Sequence, residues 1–249
     1  STARRCTSCL PRRCRGCSSR SWRRCKKLGF EGYRDLQKQL LFEIAVRTQE
    51  QTKGNARVTA GSTSDIVYKI TYRNIASLEE TVKLVEPQVL EQAVDMICRA
   101  DSVLLFGLGA SQLVAKDAYL KFLRIDKPCS CCEDIHSQYV IARNSKPNDV
   151  AIVISYSGRT EEIVRCAEYL KAQGTPIIAI TRFELSPISR MAACCLNVMA
   201  SEELYRSGAM SSRIAQLNMI DILYTACINR NISQNVRMFS HNRLDTERA

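Results

Sequence analysis

The residues best suited to chemistry stand together in Ser155-Tyr156-Ser157-Gly158-Arg159-Thr160, where hydroxyls from Ser155, Ser157 and Thr160 surround a glycine. Just before them, Val150-Ala151-Ile152-Val153-Ile154 is an unbroken apolar run, the make-up of a strand buried in a parallel sheet. Just after them, Glu161-Glu162-Ile163-Val164 opens a helical pattern. A strand, a small hydroxyl-rich turn and a helix N-terminus bring backbone N–H groups, hydroxyls and the positive end of a helix dipole to one point. Such a point suits an anion, phosphate above all. The competing reading is a βα turn whose Ser and Thr only cap the helix, since Thr160 followed by acids is ordinary N-terminal chemistry. A cap needs one hydroxyl, and this turn offers more.

A second turn, Phe106-Gly107-Leu108-Gly109-Ala110-Ser111, also leaves an apolar run and opens a helix. It lacks the third glycine of a dinucleotide fingerprint, and no acid follows at the right strand end, so no cofactor is expected. His136, after Asp134, has the chemistry to bond a ligand hydroxyl or act as a base; a surface histidine is the plainer reading. Glu133, Glu202 and Glu203 are further bases, none in a recognisable catalytic motif. His241 lies in a polar tail and is assigned nothing. Cys6-x2-Cys9 and Cys14-x2-Cys17 suggest a zinc site, but four residues separate the pairs, against roughly 12–20 in ribbons and fingers. The reading without a metal is a disordered basic arm, or a stretch that is not native sequence.

The elements that must position these residues alternate. Val103–Phe106, Pro128–Cys132, Val150–Ser155, Pro176–Thr181 and Cys194–Met199 read as strands. Gln112–Leu123, Asp134–Ala142, Glu161–Ala172 and Ser186–Ala192 read as helices, and Ser211–Asn229 as a long final one. From Asp65 to Arg99 the pattern is helical, with Pro87 near a second start. Strands alternating with helices imply an α/β fold, a doubly wound, five-stranded parallel sheet with right-handed crossovers. Ligands of such sheets sit beyond the carboxyl ends of the strands, where strand order reverses.

The chain is long enough for one large domain or two modest ones, and no charge-free run approaches a membrane span. Its formal charge of +11 looks like a nucleic-acid signature but is uneven: residues 1–30 carry ten basic residues and no acid, so the remainder is nearly neutral. The 13 cysteines, an odd count with no secretory signal, argue for a reducing cytoplasm. Those beyond residue 90 lie in apolar segments, where a thiol serves as a small hydrophobe.

Two stretches carry a family resemblance. Lys26-Lys27-Leu28-Gly29-Phe30-Glu31-Gly32-Tyr33-Arg34-Asp35-Leu36 resembles the end of the helix-turn-helix domain of the RpiR (MurR/RpiR) transcriptional regulators, at the end of the recognition helix and in the helix after it. Residues before Cys25 lack the apolar pattern that domain requires, so the helix-turn-helix reads as incomplete or frame-shifted. The two turns together, within 85–230, resemble the sugar isomerase (SIS) domain, which binds phosphosugars and follows the helix-turn-helix in such regulators. The resemblance implies a flavodoxin-like SIS sheet preceded by a partial all-α helix-turn-helix segment. It implies a partial helix-turn-helix region with a basic arm over 1–46, a linker over 47–64, an SIS domain with lead-in helices over 65–230, and a C-terminal helix or tail over 231–249.

By motif position it assigns Ser155, Ser157 and Thr160 to the phosphate and Gly158 to close backbone approach. Ser111 would reach the sugar or phosphate from the first turn. Ser211-Ser212-Arg213-x-x-Gln216 resembles the start of the family's long last helix, near the ligand mouth. There Arg213 would contact ligand or a second subunit, or pair with Asp221 or another acid. Lys26 and Lys27 would face DNA. The implied function is a DNA-binding regulator that senses a sugar phosphate as effector and controls carbohydrate metabolism genes, as a homodimer or homotetramer. The alternative is a sugar-phosphate isomerase or lyase of the same superfamily.

Overall fold

The chain divides into two compact units, Ser1–Thr59 and Ala60–Ala249. The computed structural model describes residues 63–200 and 209–230, all within the second unit. Lys26 and Lys27, the Cys6–Cys17 pairs, the helix-turn-helix, Glu202, Glu203 and His241 lie outside the described residues.

In chain order the elements are α1 (Thr63–Leu84), α2 (Pro87–Arg99), β1 (Val103–Phe106), α3 (Ala110–Leu123), β2 (Cys129–Cys131) and α4 (Ile135–Arg143). They continue with β3 (Val150–Ile154), α5 (Glu161–Ala172), β4 (Ile177–Arg182), α6 (Pro187–Met191), β5 (Cys194–Val198) and α7 (Met210–Arg230). Every strand pairing is parallel, in the order β2-β1-β3-β4-β5. The chain winds outward from β1 to β2, crosses back over β1 to β3, then winds the other way. The reversal therefore falls between β1 and β3, neighbours in register from Val103↔Val150 to Phe106↔Val153.

Central strands are apolar throughout because both faces are covered. Val150, Ile152 and Ile154 pack with Val114 and Phe122 of α3 and Met219 and Leu223 of α7. Ala151 and Val153 face the other way, onto Ile163, Cys166 and Leu170 of α5 and Ile188 of α6. Edge strand β5 alternates between buried and half-buried residues instead. Core cysteines behave as hydrophobes: burial pushes the thiols of Cys166 and Cys194 up to about 12.

Some bounds differ from the sequence reading. α1 starts at Thr63, inside the stretch read as linker, and α3 starts at Ala110, so that Ser111 is helical. β3 ends at Ile154, yet the Ser155 N–H still donates to Ile180 O (3.1 Å) and carries the ladder one residue further. Pro87 opens α2 as expected, and Ser186 caps α6 with a reciprocal box to Ser189. No helix among the described residues is long and apolar enough to cross a membrane.

Candidate functional site

The turns leaving β1 and β3 open side by side into one cleft of about 460 Å³, within the usual size of a small-molecule site. Ser111 stands on one side, Ser155, Ser157 and Thr160 on the other, and Ala209 and Ser212 at the start of α7 close a third. None of the described lining residues is charged.

The hydroxyls of the β3 turn are set by short-range bonds, while its Tyr156 carbonyl is braced by the Arg182 N–H (2.9 Å) and Thr181 Oγ1 (3.2 Å) of β4. The Gly158 N–H donates to Ser155 O (3.1 Å), and the Arg159 N–H donates to Ser157 Oγ (3.2 Å). Ser155 Oγ and Thr160 Oγ1 lie 3.2 Å apart. Thr160 occupies the N-cap position of α5, but its hydroxyl makes no capping bond. Capping alone therefore does not account for this turn. The hydroxyl stays on the cleft beside the first turn of α5, whose N–H groups have no partners within the helix.

Gly158 is not among the residues that line the cleft, and its N–H closes the turn. Glycine is needed there because φ is +62°, and because a Cβ would stand 2.1 Å from Ser186 Oγ and 2.7 Å from Ser186 Cβ. The close approach is to the cap of α6, behind the turn. Arg159 is exposed, pairs with Glu184 (2.7 Å) and donates to Leu185 O (3.0 Å).

Distant side chains hold the β1 turn. Gln138, fully buried on α4, accepts from the Gly107 N–H (3.3 Å) and donates to Gly107 O (3.0 Å) and Gln112 Oε1 (3.3 Å). Gln112 donates onward to Cys132 O (2.8 Å). Ser111 Oγ donates to Gln216 Oε1 of α7 (3.3 Å). Gly109 sits at φ +59° and ψ −123°, a conformation costly for any residue with a Cβ.

His136 is exposed on α4, edge-on to the Tyr139 ring at 6.4 Å, and does not line the cleft. Arg213 follows Ser212 but is not among the cleft residues, and Asp221, its suggested partner, pairs with Lys121 (2.7 Å). Glu133 is fully exposed and bonded to Lys116 (2.6 Å), which holds its carboxyl below the usual range. Among the described residues no cluster of His, Cys, Asp or Glu is placed to hold a metal ion.

Sequence reasoning passed over Tyr156, which lines the cleft while its hydroxyl bonds both the N–H (3.1 Å) and the carbonyl (3.2 Å) of Ala200. Its place between two assigned serines was the available signal. Ser212 was only noted as near the ligand mouth. The tie of its neighbour Ser211 to Asn74 of α1 (3.2 Å) had no local signature.

The family pattern described as SIS domain matches residues 96–226. A helix-turn-helix-type transcriptional regulator from Caldanaerobacter subterraneus is 35% identical over 217 residues, covering 85% of this chain and 74% of that one. Vibrio vulnificus NanR, solved in complex with ManNAc-6P, matches with a TM-score of 0.67 at 23% identity, over 89% of this chain and 77% of that one. The sugar isomerase domain of an RpiR transcription factor from Sphaerobacter thermophilus gives 0.64 at 21%, over 70% and 96%. A Methanococcus jannaschii protein whose structure infers 3-hexulose-6-phosphate isomerase function gives 0.59 at 19%, over 72% and 98%. These three likenesses concern the fold. The family pattern and the regulator relative go further: the chain belongs to the SIS domain family and is a homologue of a helix-turn-helix-type transcriptional regulator.

Proposed function

We propose that this chain is a transcriptional regulator whose SIS domain holds a sugar phosphate as effector without transforming it. The observation that carries this reading is the cleft at the β1/β3 reversal, whose described lining is uncharged and where the hydroxyls of Ser111, Ser155, Ser157 and Thr160 gather beside the N-terminus of α5. Backbone N–H groups, hydroxyls and a helix dipole hold a phosphate without a lysine. The sugar then lies toward Leu108, Ala209 and Ser212.

Isomerisation needs a base poised near neutral pH. The candidates within the described residues, Glu133 and His136, lie away from the cleft, which supports sensing over turnover. The route from effector to output starts at α7. Ser212 lines the cleft while Ser211 bonds Asn74 of α1, and Thr81 of α1 bonds the N–H (3.0 Å) and carbonyl (3.3 Å) of Met199. An effector that binds one position of α7 better shifts α1 with it.

Because NanR was solved with ManNAc-6P, that compound heads the probe panel, with glucosamine 6-phosphate and fructose 6-phosphate beside it. Thermal shift should rise with a phosphosugar and not with the same sugar unphosphorylated, since ligand bound to the native state raises apparent stability. Ser157→Ala combined with Thr160→Val should abolish the shift. A shift that survives both changes overturns the site. Turnover of any of these sugar phosphates by the purified protein overturns the sensor reading in favour of the isomerase.

A further inference from the structure

Three buried glutamines surround the β1 turn, and one differs from the other two. Gln138 and Gln112 have partners at both ends of their amides, so their orientations are fixed. Gln216 is 1% exposed; its Oε1 accepts from Ser111 Oγ, while its Nε2 has no hydrogen-bond partner among the described residues. A buried amide nitrogen without an acceptor is uncommon and costly. Through Oε1 it is tied to Ser111, a residue of the cleft.

In this arrangement the Ser111 hydrogen points at Gln216 and the oxygen lone pairs are left for the cleft. An incoming anion meets lone pairs, and the described lining offers no positive side chain to offset that repulsion. Turning the amide over exchanges Oε1 and Nε2. Nε2 then donates to Ser111 Oγ, and the Ser111 hydrogen is free for the anion. The torsion involved is broad and roughly two-fold. The exchange replaces an orphaned donor with an orphaned acceptor, the less uncommon of the two for amide groups.

We propose that Gln216 is a positioning residue for the effector. With an anion in the cleft its amide turns over, donates to Ser111 Oγ and aims the Ser111 hydroxyl at the ligand. The proposal rests on the phosphosugar reading of the same cleft and adds how Ser111 is made a donor.

A double-mutant cycle tests it, with affinities for ManNAc-6P and inorganic phosphate measured by calorimetry on the full chain. Gln216→Met should weaken phosphosugar binding roughly fivefold to tenfold in the wild-type background and have no further effect in a Ser111→Ala background. Equal losses in both backgrounds overturn the proposal, because Gln216 would then act through packing alone. Gln216→Glu gives a second readout. Its carboxylate can only accept, so binding relative to wild type should be weakest at pH 8. It should recover toward pH 6 as the buried carboxyl, raised by burial and by the anion, takes up a proton and donates. A ratio that does not change with pH overturns the proposal, and melting curves without ligand confirm that each variant is folded. Wild-type protein that binds neither probe sinks this inference and the phosphosugar reading together. Wild-type binding that Ser157→Ala with Thr160→Val abolishes and Gln216→Met leaves intact sinks this inference alone.

Discussion

The two turns that form the cleft reach the same result by different means. The β3 turn sets its hydroxyls with bonds spanning no more than five residues: Ser155 to Thr160, Arg159 to Ser157, Gly158 to Ser155. The β1 turn contributes one hydroxyl, and side chains 31 and 105 residues away along the chain hold it in place. Hydroxyls set by short-range bonds keep their spacing within the turn, although β4 and α6 brace its Tyr156 and Gly158 carbonyls from behind. A remotely held turn depends on the packing of α4 and α7, and so can respond when α7 moves. Of the two, the β1 turn is the better placed to couple ligand to conformation, and the β3 turn to grip.

The comparison is easiest to break at its two supports. Gly158→Ala adds a Cβ 2.1 Å from Ser186 Oγ at a φ of +62°. Strain and overpacking together should cost about 4 kcal/mol, roughly 10 °C in melting temperature for a domain of this size. The β1 turn should be nearly as sensitive at a distance. Gln138→Met leaves the buried Gly107 N–H and carbonyl without their partners, for about 3 kcal/mol. Denaturant melts of both variants test the idea. If Gln138→Met is neutral, the β1 turn supports itself and the contrast drawn above fails.

The same contrast explains what could be read from the sequence. Continuous apolar runs gave the central strands, because strands buried on both faces leave no room for alternation, and Glu161–Ala172 was read to the residue. The hydroxyls of the β3 turn were legible because strand, turn and helix are contiguous in the chain. The reason for Gly158 was not, since Ser186 lies 28 residues on and only the sheet brings it behind the turn. Gln138 gave no signal: a glutamine on a short helix looks like a solvent residue until its amide is seen to close on Gly107. Of the acids open to Arg213, Asp221 stands eight residues on along α7, about 12 Å along the axis, and pairs with Lys121 of α3 instead.

A smaller effect sharpens the comparison within glycines. Gly109→Ala meets no atom within 4 Å, so only its positive φ is at issue. It should cost about 1–2 kcal/mol, clearly less than Gly158→Ala. A loss as large as at Gly158 would mean the β1 turn is as tightly framed from behind as the β3 turn.

The smallest change in stability should come with the clearest loss of binding. Thr160→Val keeps the β-branched shape and the extended backbone that Thr160 adopts. The hydroxyl it removes makes no capping bond and approaches Ser155 Oγ at 3.2 Å. Stability should therefore fall by less than about 1 kcal/mol. If that hydroxyl instead donates to a phosphate, its removal takes away a hydrogen bond to a charged group, roughly tenfold or more in affinity for ManNAc-6P. The two readouts separate a gripping hydroxyl from a structural one. A Thr160→Val protein that melts several degrees lower yet binds as before would assign the hydroxyl to the fold, and the grip would then have to come from Ser155, Ser157 and the backbone of α5.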